Sequence, residues 1–257
     1  MPELIEQTFH TPDGAALEVK VPVGDIDIET VDGENTHIVV EGNEKMLELT
    51  EVRQEGSRIV VELRGKKPLG ITIQIGDLSF GSGGRLRVRA RVPHGAAVEI
   101  ANASADTKIR GRLRELDVKT ASGDLIARGE VEGDATIKTV SGDAILDRIY
   151  GSLAFTSVSG DVVVREVARD VEGKSVSGDV RIESTREGRV SVQSVSGDIE
   201  IGVQHGTNLD VDAGSVSGDL QSEIPLGSDP ESAGGDGPRL VLRGKTVSGD
   251  FRVMRAS

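Results

Sequence analysis

The stretch FTSVSGDVVVREV, residues 155–167, decides the fold, because its turn keeps returning. SGD stands seven times in 257 residues and the related SAD once. Their serines are Ser104, Ser122, Ser141, Ser159, Ser177, Ser196, Ser217 and Ser248, and subtraction gives intervals of 18, 19, 18, 18, 19, 21 and 31 residues. So tight a period means stacked units rather than chance matches in a globular domain. After each turn comes an alternating apolar run, as in SGDVVV, SGDVRIE and SGDIEI; a second run leads into the next turn, as in GRVSVQSVSGD and GSLAFTSVSGD. Alternation over four to eight residues with β-branched enrichment is the strand signal, so each unit is two short strands and two corners.

Such a unit cannot bury its apolar face alone, whereas one coil stacked on the next through parallel backbone pairing makes a β-solenoid with a continuous interior. The inward residues expected are Val162, Val164, Val176, Val180, Ile182, Val195, Ile199 and Ile201. With strands about 4.8 Å apart, eight coils make a body on the order of 35 to 40 Å long. The hexapeptide β-helix fits less well, because Val158, Val162, Val164, Val167, Val171 and Val176 are not spaced by six.

The turn itself has two readings. In the structural one, Gly supplies a positive φ at the corner while Ser and Asp hydrogen-bond their own turn backbone. It covers Ser122, Gly123 and Asp124; Ser141, Gly142 and Asp143; Ser159, Gly160 and Asp161; Ser177, Gly178 and Asp179; Ser196, Gly197 and Asp198; Ser217, Gly218 and Asp219; and Ser248, Gly249 and Asp250. In the ligand reading, aligned turns stack their aspartates into a carboxylate ladder whose neighbours repel by roughly 1 kcal/mol in water-like dielectric. A hard cation such as Ca²⁺ relieves that. The calcium-binding nonapeptide repeat, however, has a shorter period and a different glycine pattern. The structural reading is the stronger, and no metal or cofactor is expected.

Composition agrees with a thin aliphatic core: 36% hydrophobic residues but only 2% aromatic, with 33 Gly against 8 Pro. The absence of Cys excludes disulfides and thiolate chemistry and suits a reducing compartment. The start MPELIEQTFH has neither a basic nor an apolar leader region, and no window reaches the length of a membrane span, so a cytoplasmic protein is the expectation. The net charge of −13 argues against a nucleic-acid surface.

Residues 1–100 carry strands at irregular spacing and are expected to start and cap the solenoid, with the SGD repeat running through 101–257 and an exposed loop at 225–238. The Gly-rich GDLSFGSGGRL lacks the Lys and the helix of a phosphate loop. On a strand through GGRLRVRARVPHG, Arg85, Arg87, Arg89 and Arg91 share one face that could meet phosphates or an acidic partner, although a solvated face balanced by nearby acids is the stronger reading. The chain ends soon after its last turn, so Phe251 and Met254 either seal the column or leave an edge that pairs with another molecule. His10, His37, His94 and His205 lie far apart in sequence, and no copy of the turn is singled out by a neighbouring His, so no active site is legible.

The units SVSGDV, TASGDL and TVSGDF, preceded by RVRARVPHGAAVEIANASADTKI, resemble the bacterial toast-rack family of β-strand-repeat domains of unknown function, also labelled "putative adhesins". The resemblance implies a right-handed, single-stranded β-helix-like fold, supplies no catalytic residues, and points to cell-envelope stress systems with membrane-anchored partners. The expectation is therefore an all-β, non-enzymatic scaffold or interaction protein. It binds a protein partner or itself, is linked to envelope stress or self-assembly, and touches a membrane only peripherally through a partner. The alternative is an adhesin or carbohydrate-binding protein.

Overall fold

A computed structural model describes residues 3–12, 14–64, 85–224 and 237–256. The segment ITIQIGDLSF (71–80), whose alternation reads as one of the N-terminal strands, most of the Gly-rich loop, and residues 225–236 of the expected exposed loop lie outside the described residues. The chain is a β-solenoid built almost wholly of parallel pairs, its one continuous hydrogen-bonded sheet bent through Ser104–Lys119 into two walls, each a sheet of stacked strands. One sheet contains Ala144–Ile149, Val162–Val167, Val180–Thr185 and Ile199–Val203, and the other contains Ala135–Lys138, Leu153–Thr156, Val171–Lys174 and Gly188–Gln193. Ser104–Lys119 is long enough to serve both sheets: Val23–Val31 and Leu125–Val131 flank its first half, and Ala96–Ala101 and Ala135–Lys138 its second.

Register stacks like on like. Leu125, Ala144, Val162, Val180, Ile199 and Phe251 form one inner column, and Leu116, Ala135, Leu153, Val171, Val190 and Leu242 the other, all buried. Both columns belong to one continuous core. Parallel strands with one face buried hold this register firmly, because a slip of one residue turns every inner side chain outward. Large rings fit where glycine makes room: a Cβ on Gly173 would collide with the Phe155 ring, and one on Gly244 with Phe251 from the opposite sheet.

Two expectations about the column fail. Val176 and Val195 are not inward; they are 44% and 47% exposed. The alternation before each turn brings Ser175 and Ser194 inside instead, because their hydroxyls close the turn from within.

Phe251 does not seal an end. It is wholly buried, because Phe251–Arg255 lies between Ile199–Val203 and Leu220–Ser222, and Arg239–Thr246 between Gly188–Gln193 and Asn208–Ser215. The last coil in sequence is thus interleaved, and the outermost coil in space is 208–222. The opposite end behaves similarly, with Val23–Val31 set between Leu86–Pro93 and Ser104–Lys119. There the parallel stack gives way to antiparallel pairs, Glu3–His10 with Asn35–Gly42 and Thr50–Glu55 with Arg58–Leu63. A short helix, Glu44–Leu49, is started by the Asn43 side chain accepting the Met46 N–H and buries Met46 and Leu47.

Candidate interaction surface

The repeated turn is a joint between coils, made from more residues than SGD. Three positions before each glycine stands a hydroxyl: Thr120, Thr139, Ser157, Ser175, Ser194, Ser215 or Thr246. At Thr139 it accepts the Gly142 N–H at 2.9 Å and donates to the Gly142 carbonyl at 2.8 Å. Ser157 and Ser175 donate to Gly160 and Gly178 in the same way. The serine of SGD bonds backward to the preceding coil, Ser159 N–H to Val140 C=O and Ser177 N–H to Val158 C=O, both at 2.8 Å.

Aspartate completes the joint. The Asp161 N–H donates to Asp143 Oδ1 at 2.9 Å, Asp179 to Asp161 at 2.8 Å and Asp198 to Asp179 at 2.8 Å. The series begins at Asp106 with Asp124 and ends, in spatial order, at Asp250 and Asp219. Each carboxylate repulsion is thereby offset by a charge-assisted bond to the next coil's backbone. Among the described residues no group of three or more His, Cys, Asp or Glu is placed to hold a metal ion.

The glycines correct the sequence expectation. None of the SGD glycines has a positive φ; that conformation occurs elsewhere, as at Gly56 with φ 64°. Their requirement is close approach: a Cβ on Gly142, Gly160, Gly178 or Gly197 would run into the carbonyl of the glycine one coil earlier. Ser and Asp likewise bond the neighbouring coil rather than only their own turn.

With the joint turned inward, the residue between the two hydroxyls faces solvent. Val140, Val158, Val176, Val195 and Val247 are each a little under half exposed, and Val216 on the outermost coil is 81% exposed. Backbone bonds from Ser159, Ser177, Ser196, Ser248 and Ser217 to successive carbonyls of this set put the six valines in one row along the stack. On one side runs the aspartate row. On the other, at the edge of the second sheet, stand Lys119, Lys138, Lys174 and Lys245, with Thr156 and Gln193 in the same register. Lys138, Lys174 and Lys245 are exposed and have no ion-pair partner among the described residues.

The arginine strand is different. Arg85 faces Asp25 at 3.6 Å, Arg89 bonds Glu41 at 2.5 Å, Arg91 faces Glu29 at 3.6 Å, and Arg87 stands in register between Asp25 and Glu41. A shallow depression of about 440 Å³ beside it mixes Asp27 and Glu29 with Arg89, Arg91 and Arg110. The sheet itself thus supplies a carboxylate to Arg85, Arg89 and Arg91.

On the other sheet, burial pushes the Glu18 carboxylate up, but hydrogen bonds from Lys20 and Arg58 outweigh it and hold the group below its ordinary range. Lys20 is raised, first through its hydrogen bond to Glu18.

One constellation escaped the sequence. Thr30 Oγ1 lies 2.6 Å from His94 Nδ1, and His94 Nε2 3.5 Å from Asp32. The spacing imitates a hydroxyl–His–carboxylate set. Yet Thr30 is buried, accepts the Arg112 N–H at 2.9 Å and sits against Gly111, so its hydroxyl ties strands together and is not open to a substrate. The other histidines also join neighbouring segments, His10 to Asn35, His37 to Thr8 and His205 to Arg255.

A family model described as Toastrack DUF4097 matches residues 15–253. The chain belongs to the Toastrack family. A solved "putative lipid binding protein" from Parabacteroides distasonis ATCC 8503 is similar to this Toastrack chain at 16% identity and a TM-score of 0.55, covering 99% of this chain and 97% of its own. A "putative adhesin" from Parabacteroides merdae ATCC 43184 is similar at 10% identity and a TM-score of 0.50, covering 98% and 97%. At these identities the likeness shows the fold alone. No curated protein matches the chain.

Proposed function

We propose that this Toastrack chain is a non-enzymatic scaffold that presents its turn corner to a protein partner. The observation that carries the reading is the valine row, six β-branched side chains at one position of successive coils, five held about half out of the surface and Val216 further. Solvent-facing valines contribute little to the fold, whereas an apolar row with charged margins is the layout of an interface core and rim. The remaining outer faces are laced with ion pairs, such as Arg128 with Asp147 and Arg181 with Glu200, which favours the corner over the flat faces. Among the described residues no helix is long and apolar enough to cross a membrane. In this reading, a link to the cell envelope runs through the partner. A carbohydrate-binding adhesin is less favoured, because Tyr150 is the only aromatic among the exposed large apolar side chains of the described residues.

Photo-crosslinking in the source cells tests this. A photoreactive residue at position 158 or 176 should give discrete adducts, and one at 172 or 181 on the flat faces should give few. Equal yields from all four positions, or none from the corner, would refute the reading.

A further inference from the structure

The corner carries three parallel rows, and their order across the surface is asymmetric: lysine on one side, valine in the middle, aspartate on the other. We infer that the partner at this corner is a second copy of the chain, packed valine row on valine row with the two solenoid axes parallel. The inference rests on the proposed interaction surface and names its occupant.

The charges decide the arrangement. A two-fold axis running along the row leaves the valines facing one another and swaps the flanks. Lys138, Lys174 and Lys245 of one copy then meet Asp143, Asp179 and Asp250 of the other. A two-fold axis across the row faces lysine with lysine and aspartate with aspartate, which opposes association. Three of the four lysines have no ion-pair partner within the described chain, so they are free to meet the other copy. Pitch adds a second argument. The valines repeat at one strand spacing, about 4.8 Å, over five intervals, and a surface with the same repeat is another copy of this corner. Such a contact is isologous and closes after two copies.

The seam is about 24 Å long and roughly one corner wide, which is small against a standard interface, so association is reversible and of micromolar strength. The described valines and lysines project from coils whose joints are already satisfied, so forming the dimer requires no refolding.

The chain has no Cys, which permits a direct test. In the parallel arrangement each row position meets its own counterpart. V140C, V158C and V195C should therefore each form a disulfide-linked dimer under mild oxidation, while a cysteine at Glu172 on the flat face should not. Wild-type protein should sediment as a dimer near 100 μM and as a monomer near 1 μM. The K138E/K174E variant should require roughly tenfold more protein to dimerise, with an unchanged melting curve. Cross-linking confined to one row position would overturn the parallel arrangement. A monomer at every concentration with no cross-link at any position would overturn self-association altogether. If position 158 still yielded a photo-adduct with a different protein, the scaffold reading would stand without this inference; if that adduct were missing too, both would fall.

Discussion

Replacing Gly178 by Ala adds one methyl group where the structure has no room for it. The new Cβ would lie against the Gly160 carbonyl, and Gly197 packs on Gly178 in the same way from the next coil. Relief requires the coils to part at that corner. Parting strains the Ser177 N–H to Val158 C=O bond, the Asp179 N–H to Asp161 Oδ1 bond and the Val162 N–H to Asp179 C=O bond, now 2.8, 2.8 and 2.9 Å. At about 1 kcal/mol for each neutral bond and about 2 for the charged one, the loss is about 4 kcal/mol. Gly56 provides the control, since it has φ 64° and nothing within 4 Å of a built Cβ, so G56A meets only backbone strain. That cost is about 1 kcal/mol. Urea unfolding followed by circular dichroism measures both, with amide exchange around residues 158–179 to detect local opening in a stack that need not unfold as one unit. If G178A cost no more than G56A, the close-approach account of the repeated glycine would be wrong.

D161A should cost about 2 kcal/mol by removing the charge-assisted bond to the Asp179 N–H, while D161N, which keeps an acceptor, should cost less than half as much in the same urea assay. Phe251→Ala should lose about 3 to 5 kcal/mol, the cost of a buried ring in a packed interior, whereas an end plug at the surface would lose far less; thermal melts distinguish them. G173V should be severely destabilising alone, and F155V should recover part of the loss when combined with it, because the two positions share one space. Glu18 sits below its ordinary range, so its contribution is fully present above the unfolded carboxylate value and is lost as pH falls through the folded one; E18Q should flatten that part of the acid-stability profile.

Much of the coil was legible because the period and the alternation are local. Val162, Val164, Val180, Ile182, Ile199 and Ile201 are inward as the two-residue alternation requires. Val176 and Val195 misled because hydrophobicity was followed through the turn, where a buried hydroxyl takes the inner position. A signal for it was present: Ser or Thr stands three residues before the glycine in every SGD copy, and that constancy marks a side chain bonding the turn from inside. The interleaving of 239–255 was not legible. A coil inserted between earlier coils and a loop inserted within one both lengthen the serine interval, and only the pairing register separates them. The arginine face was legible as a pattern, but its neutralisation depends on Asp25, Glu29 and Glu41, which pairing brings from distant strands.

The claim that holds the account together is that the repeated turn joins coil to coil, leaving the valine row outward. Amide exchange at Asp143, Asp161, Asp179 and Asp198, resolved by NMR, tests it most directly, because these residues sit on the surface of the corner. Their N–H groups should be protected nearly as well as those of the adjoining strands, each being held by the carboxylate one coil earlier. Exchange at the rate of an open loop would contradict the joint.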